Sequence, residues 1–88
     1  MTRRMRFLYF YLMKDETDSV RAAAPEHADY WHSLGLAHYL GGPFADRSGG
    51  LITFEAASPA AAEQLVADDP FPQRGLIEQS WLKEWKLD

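Results

Sequence analysis

The sequence predicts an α+β domain of βαββαβ order. Three observations carry that prediction. The chain opens on a run of strand formers, "RFLYFYLM". Two helical segments follow, each with a proline suited to its first turn, and a glycine-rich hairpin, "GGPFADRSGGLITFEA", lies between them.

In the first strand Phe7, Tyr9, Tyr11 and Met13 alternate with Leu8, Phe10 and Leu12. Both faces are apolar, and such a strand is expected to be covered on both. "KDETDSVRAAA" reads as a polar connection. Pro25 suits a first helical position and Gly35 follows the last periodic residue, so the first helix is expected over Pro25–Leu34. "LAHYLGGPF" is the second strand, stopped by Gly41, Gly42 and Pro43. "ADRSGG" is turn chemistry, and "LITFEA" is the third strand. Ser58 caps a second helix, "PAAAEQLVA", which "DDPFPQRG" ends. In the last strand, "LIEQSWLKEWKL", Ile77, Gln79, Trp81, Lys83 and Trp85 alternate against Glu78, Ser80, Leu82 and Glu84.

This is the ferredoxin-like order, and residues 1–88 are expected to form one domain. Two helices cover only one face of a four-stranded sheet. From ~4.8 Å strand spacing and ~18 Å strand length, the other face spans roughly 350 Å². A second copy packed sheet to sheet is the expected cover, giving a homodimer.

Composition narrows the function. The net charge of −4 argues against nucleic acid, whose phosphates need clustered Lys and Arg. The one basic cluster, "TRRMR", precedes an apolar run of seven residues. That run is too short to span a bilayer and too aromatic for a signal peptide. With no cysteine, the chain has neither thiol catalysis nor thiolate metal sites, and it suits the reducing cytoplasm. None of Ser19, Ser33, Ser48, Ser58 and Ser80 sits in a nucleophile elbow, and no glycine-rich phosphate loop is present. His27 and His32 are five apart, the wrong spacing for a helical ligand pair, and His38 lies on the next strand, so no metal is expected.

His27 shares the helix face of Tyr30, Trp31 and Leu34, while Glu26, Asp29 and Ser33 line the other side. Two readings of it stand. One is a core histidine satisfied by a backbone carbonyl; the other is a general acid or base tuned by burial and a carboxylate. Asp69 precedes Pro70, which first suggests a helix cap over a short turn through Arg74.

With these pieces in place, residues 6–87 resemble the YCII family. The resemblance rests on the aromatic first strand, "PEH", "GGPF", "GGLITFEA", the Ser-Pro-capped alanine-rich helix, "ADDPF", and a tryptophan near the end. It implies a ferredoxin-like fold assembled as a dimeric α/β barrel. The family histidine falls on His27 and the family aspartate on Asp69, a pair taken as the active site. One relative is a dehydrochlorinase of a chlorinated hydroxyhydroquinone. An arginine common in the family three residues before the histidine is replaced here by Ala24, leaving Arg21 or Arg74 to stand in.

The implied function is a cofactor-independent small-molecule enzyme of lyase or isomerase type. His27 and Asp69 would act in a pocket between the first helix and the sheet. Gly42, Pro43 and Phe44 would form its rim, with Tyr9 and Arg74 also contacting substrate. A non-catalytic ligand-binding or regulatory dimer is the alternative, and a structural or assembly role for the pair is a third.

Overall fold

The computed structural model describes residues 4–86. Its elements run β1 (Met5–Met13), α1 (Thr17–Ser33), β2 (Leu40–Pro43), β3 (Gly49–Ala56), α2 (Pro59–Ala67), α3 (Pro70–Gln73) and β4 (Ile77–Glu84). Arg3 of the basic cluster and Leu87 of the expected last strand lie outside the described residues.

The four strands form one antiparallel sheet in the order β2-β3-β1-β4, the ferredoxin-like arrangement. Alternation assigns the faces. Phe7, Tyr9 and Tyr11 of β1 stand opposite Phe54, Ile52 and Gly50 of β3. Together with Ala23, Trp31, Ala62, Phe71 and Leu76 they make the buried core beneath the helices. The other face carries Leu8, Phe10 and Leu12, which are half-buried. On the same face Phe10 packs edge-on against Trp81, with ring centroids 5.2 Å apart, and against Phe44 at 5.3 Å. Within one chain, then, β1 is fully covered on one face only, because both long helices lie on that face.

Several boundaries differ from expectation: β3 begins at Gly49, β4 ends at Glu84 before Trp85, and two differences are larger. The first helix starts at Thr17, and Pro25 lies inside it. Proline removes one helical donor and crowds the turn before it, a cost but not a prohibition. Here the upstream half is held by tertiary packing: Ala23 is fully buried, and Val20 and Ala24 pack on the core. "KDETDSVRAAA" is therefore largely helix. Gly35, at φ +59, ends α1 in the left-handed conformation that glycine adopts without a Cβ clash. The second strand is only four residues, since His38 takes a left-handed φ of +54 that an extended run from residue 36 does not permit.

The remaining elements follow local chemistry. The β2–β3 turn closes through Asp46, whose Oδ1 accepts from the Ser48 backbone N–H at 2.9 Å and from its hydroxyl at 2.6 Å. Ser58 Oγ accepts from the Ala61 N–H at 3.1 Å, and Pro59 opens α2. No helix among the described residues is long and apolar enough to cross a membrane.

Candidate functional site

The site is built around Asp69, which links α2 to α3. The Asp-Pro sequence dictates its local job. Its extended backbone, φ −64 and ψ 134, makes it the cap of α3, and its Oδ1 accepts from the Phe71 N–H at 2.9 Å. Yet the residue has no exposed surface. A buried carboxylate is costly unless every oxygen is bonded. Here Oδ2 accepts from the Trp31 indole N–H at 2.9 Å, and His27 Nδ1 lies 2.8 Å from Oδ1 and 2.9 Å from Oδ2. The cap and the histidine partner are the same carboxyl group.

His27 reaches it from α1, one helical turn before Trp31, so one helix face delivers both donors. The imidazole stacks on the Phe71 ring with centroids 4.1 Å apart and planes 16° from parallel. Its side chain keeps 13% exposure. The donors already on the carboxylate oblige Nδ1 to donate as well, so in the neutral ring Nε2 is the acceptor. Tyr11 Oη of β1 stands 3.3 Å from Nε2. Burial, with the Asp69 charge close by, pushes the Tyr11 phenol far above its ordinary range. It therefore holds its proton and donates to Nε2.

Trp31 is itself supported. It packs against Tyr9, Phe54 and Tyr39, the last a stack with planes 15° from parallel. A Cβ on Gly50 would stand 2.4 Å from Tyr11 Oη, so the glycine leaves the room in which that hydroxyl lies.

The expected site residues divide. His27 and Asp69 meet across 42 positions of sequence. Tyr9 is 1% exposed, sealed in the core between Tyr11 and Trp31, and presents no surface to a ligand. Phe44 packs on Phe10, on the sheet face turned away from His27. Gly42 and Pro43 lie exposed on the edge strand, Pro43 opposite Gly50 and so beside the Tyr11 hydroxyl. Arg74 forms an ion pair with Glu26 on the neighbouring turn of α1, and Arg21 is exposed.

Where a pocket is expected beside His27, the rings of Tyr11 and Phe71 pack against the imidazole. Two shallow concavities, of about 340 and 290 Å³, border Arg4 and Glu55 instead, and neither is lined by His27 or Asp69. His32 packs edge-on against Tyr39, and His38 pairs with Glu55.

Sequence reasoning missed Tyr11, Trp31 and Phe71 as site residues. A signal existed for two of them: Trp31 is four residues after His27, and Phe71 is two after Asp69. For Tyr11 over Tyr9 there was none, since both share one strand face.

Comparison with known proteins agrees with this architecture. Residues 5–86 match the model of the YCII-related domain. No curated protein sequence matches the chain. Among solved structures, it is similar to 5-chloro-2-hydroxyhydroquinone dehydrochlorinase from Burkholderia phenoliruptrix, solved in complex with 2,5-dihydroxybenzoquinone. Identity is 25% and the TM-score 0.83, covering 93% of this chain and 94% of that one. It is also similar to a cofactor-independent oxygenase from Streptomyces nogalater, at 12% identity and a TM-score of 0.54, covering 96% and 92%. A dimeric ferredoxin-like protein from Thermobifida fusca is 11% identical with a TM-score of 0.57, covering 96% and 91%. The last two likenesses concern the fold alone.

Proposed function

The chain belongs to the YCII-related family, and on that premise we propose that it is a cofactor-independent acid–base enzyme acting on small enolic or phenolic compounds. The observation that carries this reading is the His27 Nδ1 contact with a fully buried, fully bonded carboxylate. Asp69 fixes the ring orientation and tautomer, and stabilises the imidazolium that forms when Nε2 takes a proton. Nε2 then returns the proton as general acid. Such chemistry suits lyase or isomerase reactions. The likeness to a dehydrochlorinase of a chlorinated hydroxyhydroquinone supports that substrate class.

The working form in this reading is a homodimer packed sheet to sheet. The exposed Trp81 and half-buried Phe10, Leu8 and Leu51 on the uncovered face support it, since apolar surface of this kind is stabilised by burial against a partner.

The test is to incubate the purified protein with halogenated hydroxyhydroquinones and follow halide release. Wild-type protein is expected to turn over. His27→Gln, which keeps polarity and approximate size, is expected to lose about 10²–10⁴-fold in kcat. Turnover retained in that variant would end the proposal.

A further inference from the structure

Acid–base work by Nε2 raises a second question: what receives the negative charge left on the substrate? We propose that Tyr11 is a second catalytic residue, a hydrogen-bond donor that shares one substrate oxygen with His27 Nε2. The inference rests on the acid–base reading above and extends it to the geometry of the bound oxygen.

Three observations carry it. First, Tyr11 Oη and His27 Nε2 stand 3.3 Å apart. Two atoms so spaced can both lie about 2.8 Å from a single third atom, an ordinary distance for O–H···O and O–H···N contacts. A substrate hydroxyl at that vertex donates to Nε2 and accepts from Tyr11, the Tyr11 hydroxyl turning from Nε2 toward the incoming oxygen.

Second, the Tyr11 hydroxyl is a donor throughout the working range, because burial beside Asp69 keeps the phenol protonated. It cannot compete with the substrate for the role of anion.

Third, the sheet itself makes room for the hydroxyl. Gly50, opposite Tyr11, has no Cβ, and one placed there would stand 2.4 Å from Tyr11 Oη. On the same face the exposed Pro43 of the edge strand stands opposite Gly50.

The step balances. The substrate O–H bond breaks, its proton forms the Nε2–H bond, and the electron pair stays on the substrate oxygen. The resulting oxyanion is held by the Tyr11 O–H on one side and the imidazolium on the other, whose charge is balanced by Asp69. Charge develops where a preorganised donor already points, the arrangement that lowers a transition state most effectively. The substrate class follows: a compound presenting an acidic hydroxyl, phenol or enol, and not its ether.

The experiment uses 4-nitrocatechol, whose visible absorption reports its own ionisation, with 4-nitroanisole as the ether control. Full-length wild-type protein is expected to bind the catechol as its anion at a pH where most of the free compound is neutral, and to ignore the ether. Tyr11→Phe removes one oxygen and is expected to weaken binding of the anion about 10- to 100-fold. Gly50→Ala, whose methyl group would stand 2.4 Å from Tyr11 Oη and 2.8 Å from the Gly42 carbonyl oxygen and so displaces the hydroxyl, is the second variant and is expected to show the same loss with the tyrosine still present.

Binding and ionisation unchanged in both variants would overturn the proposal while leaving His27 as a base. Ionisation surviving His27→Gln would overturn it together with the reading beneath it. Wild-type protein that neither binds nor ionises 4-nitrocatechol would also overturn it.

Discussion

Trp31 Nε1 donates to Asp69 Oδ2 at 2.9 Å, and the same oxygen lies 2.9 Å from His27 Nδ1. One helix thus supplies two donors to a carboxyl group that belongs to the entry of another. The bond ties the pair to the core, because Trp31 is itself buried among Tyr9, Tyr39 and Phe54.

Asp69 therefore has a structural task whatever its chemistry. Asp69→Ala strands the Trp31 indole N–H and the Phe71 N–H away from water, along with His27 Nδ1. Each buried donor left unbonded costs about 1–3 kcal/mol, so the variant is expected to lose ~3 kcal/mol or more. The readout is the midpoint of urea unfolding at unchanged slope. A loss below ~1 kcal/mol would mean that these donors find other partners. His27→Gln is the cleaner probe of chemistry, since it leaves the other two donors satisfied.

The uncovered sheet face makes a separate prediction. Trp81, on the edge strand β4, is 42% exposed and packs against Phe10 on that face. Trp81→Lys places a charge there, which a sheet-to-sheet contact tolerates poorly. Sedimentation is expected to give twice the chain mass of 10.0 kDa for the wild type and a single chain mass for the variant. A wild-type protein sedimenting as one chain at micromolar concentration would remove the dimer.

Alkaline pH probes the tyrosines. All four, Tyr9, Tyr11, Tyr30 and Tyr39, are held above the ordinary phenol value of 10.0, chiefly by burial, and Tyr30 is pushed up to about 12. The folded state then binds protons that the unfolded state has released. Stability from these groups is full below pH 10 and falls as pH rises through the folded values. Absorbance at the phenolate band is expected to stay flat near pH 10, then rise together with loss of the circular dichroism signal. A phenolate signal appearing near pH 10 in the folded protein would contradict the burial of these hydroxyls.

Much of the fold was legible locally. Ser58-Pro59 and Asp69-Pro70 mark helix entries because their side chains satisfy free N–H groups within three residues. Asp46 and the glycines around it mark the hairpin for the same short-range reason. Pro25 misled, because its cost inside a helix is local whereas the compensation, burial of Ala23 against the sheet, is not. Phe44 misled in another way. The hairpin's register put its ring on the far face, and register depends on a partner strand.

The sequence by itself determined the element order, the apolar face of the first helix with His27 on it, and the capping role of Asp69. Each of these is set by contacts within about one helical turn or one strand alternation. The family resemblance already pairs His27 with Asp69; only the tertiary structure decided how they meet, that Trp31 and Phe71 hold them, and that Tyr11, not Tyr9, stands at Nε2. Those residues are far apart in the chain. Their meeting depends on how the helices seat on the sheet, and the depth at which α1 crosses β1 is a property of the packed core, not of any one segment.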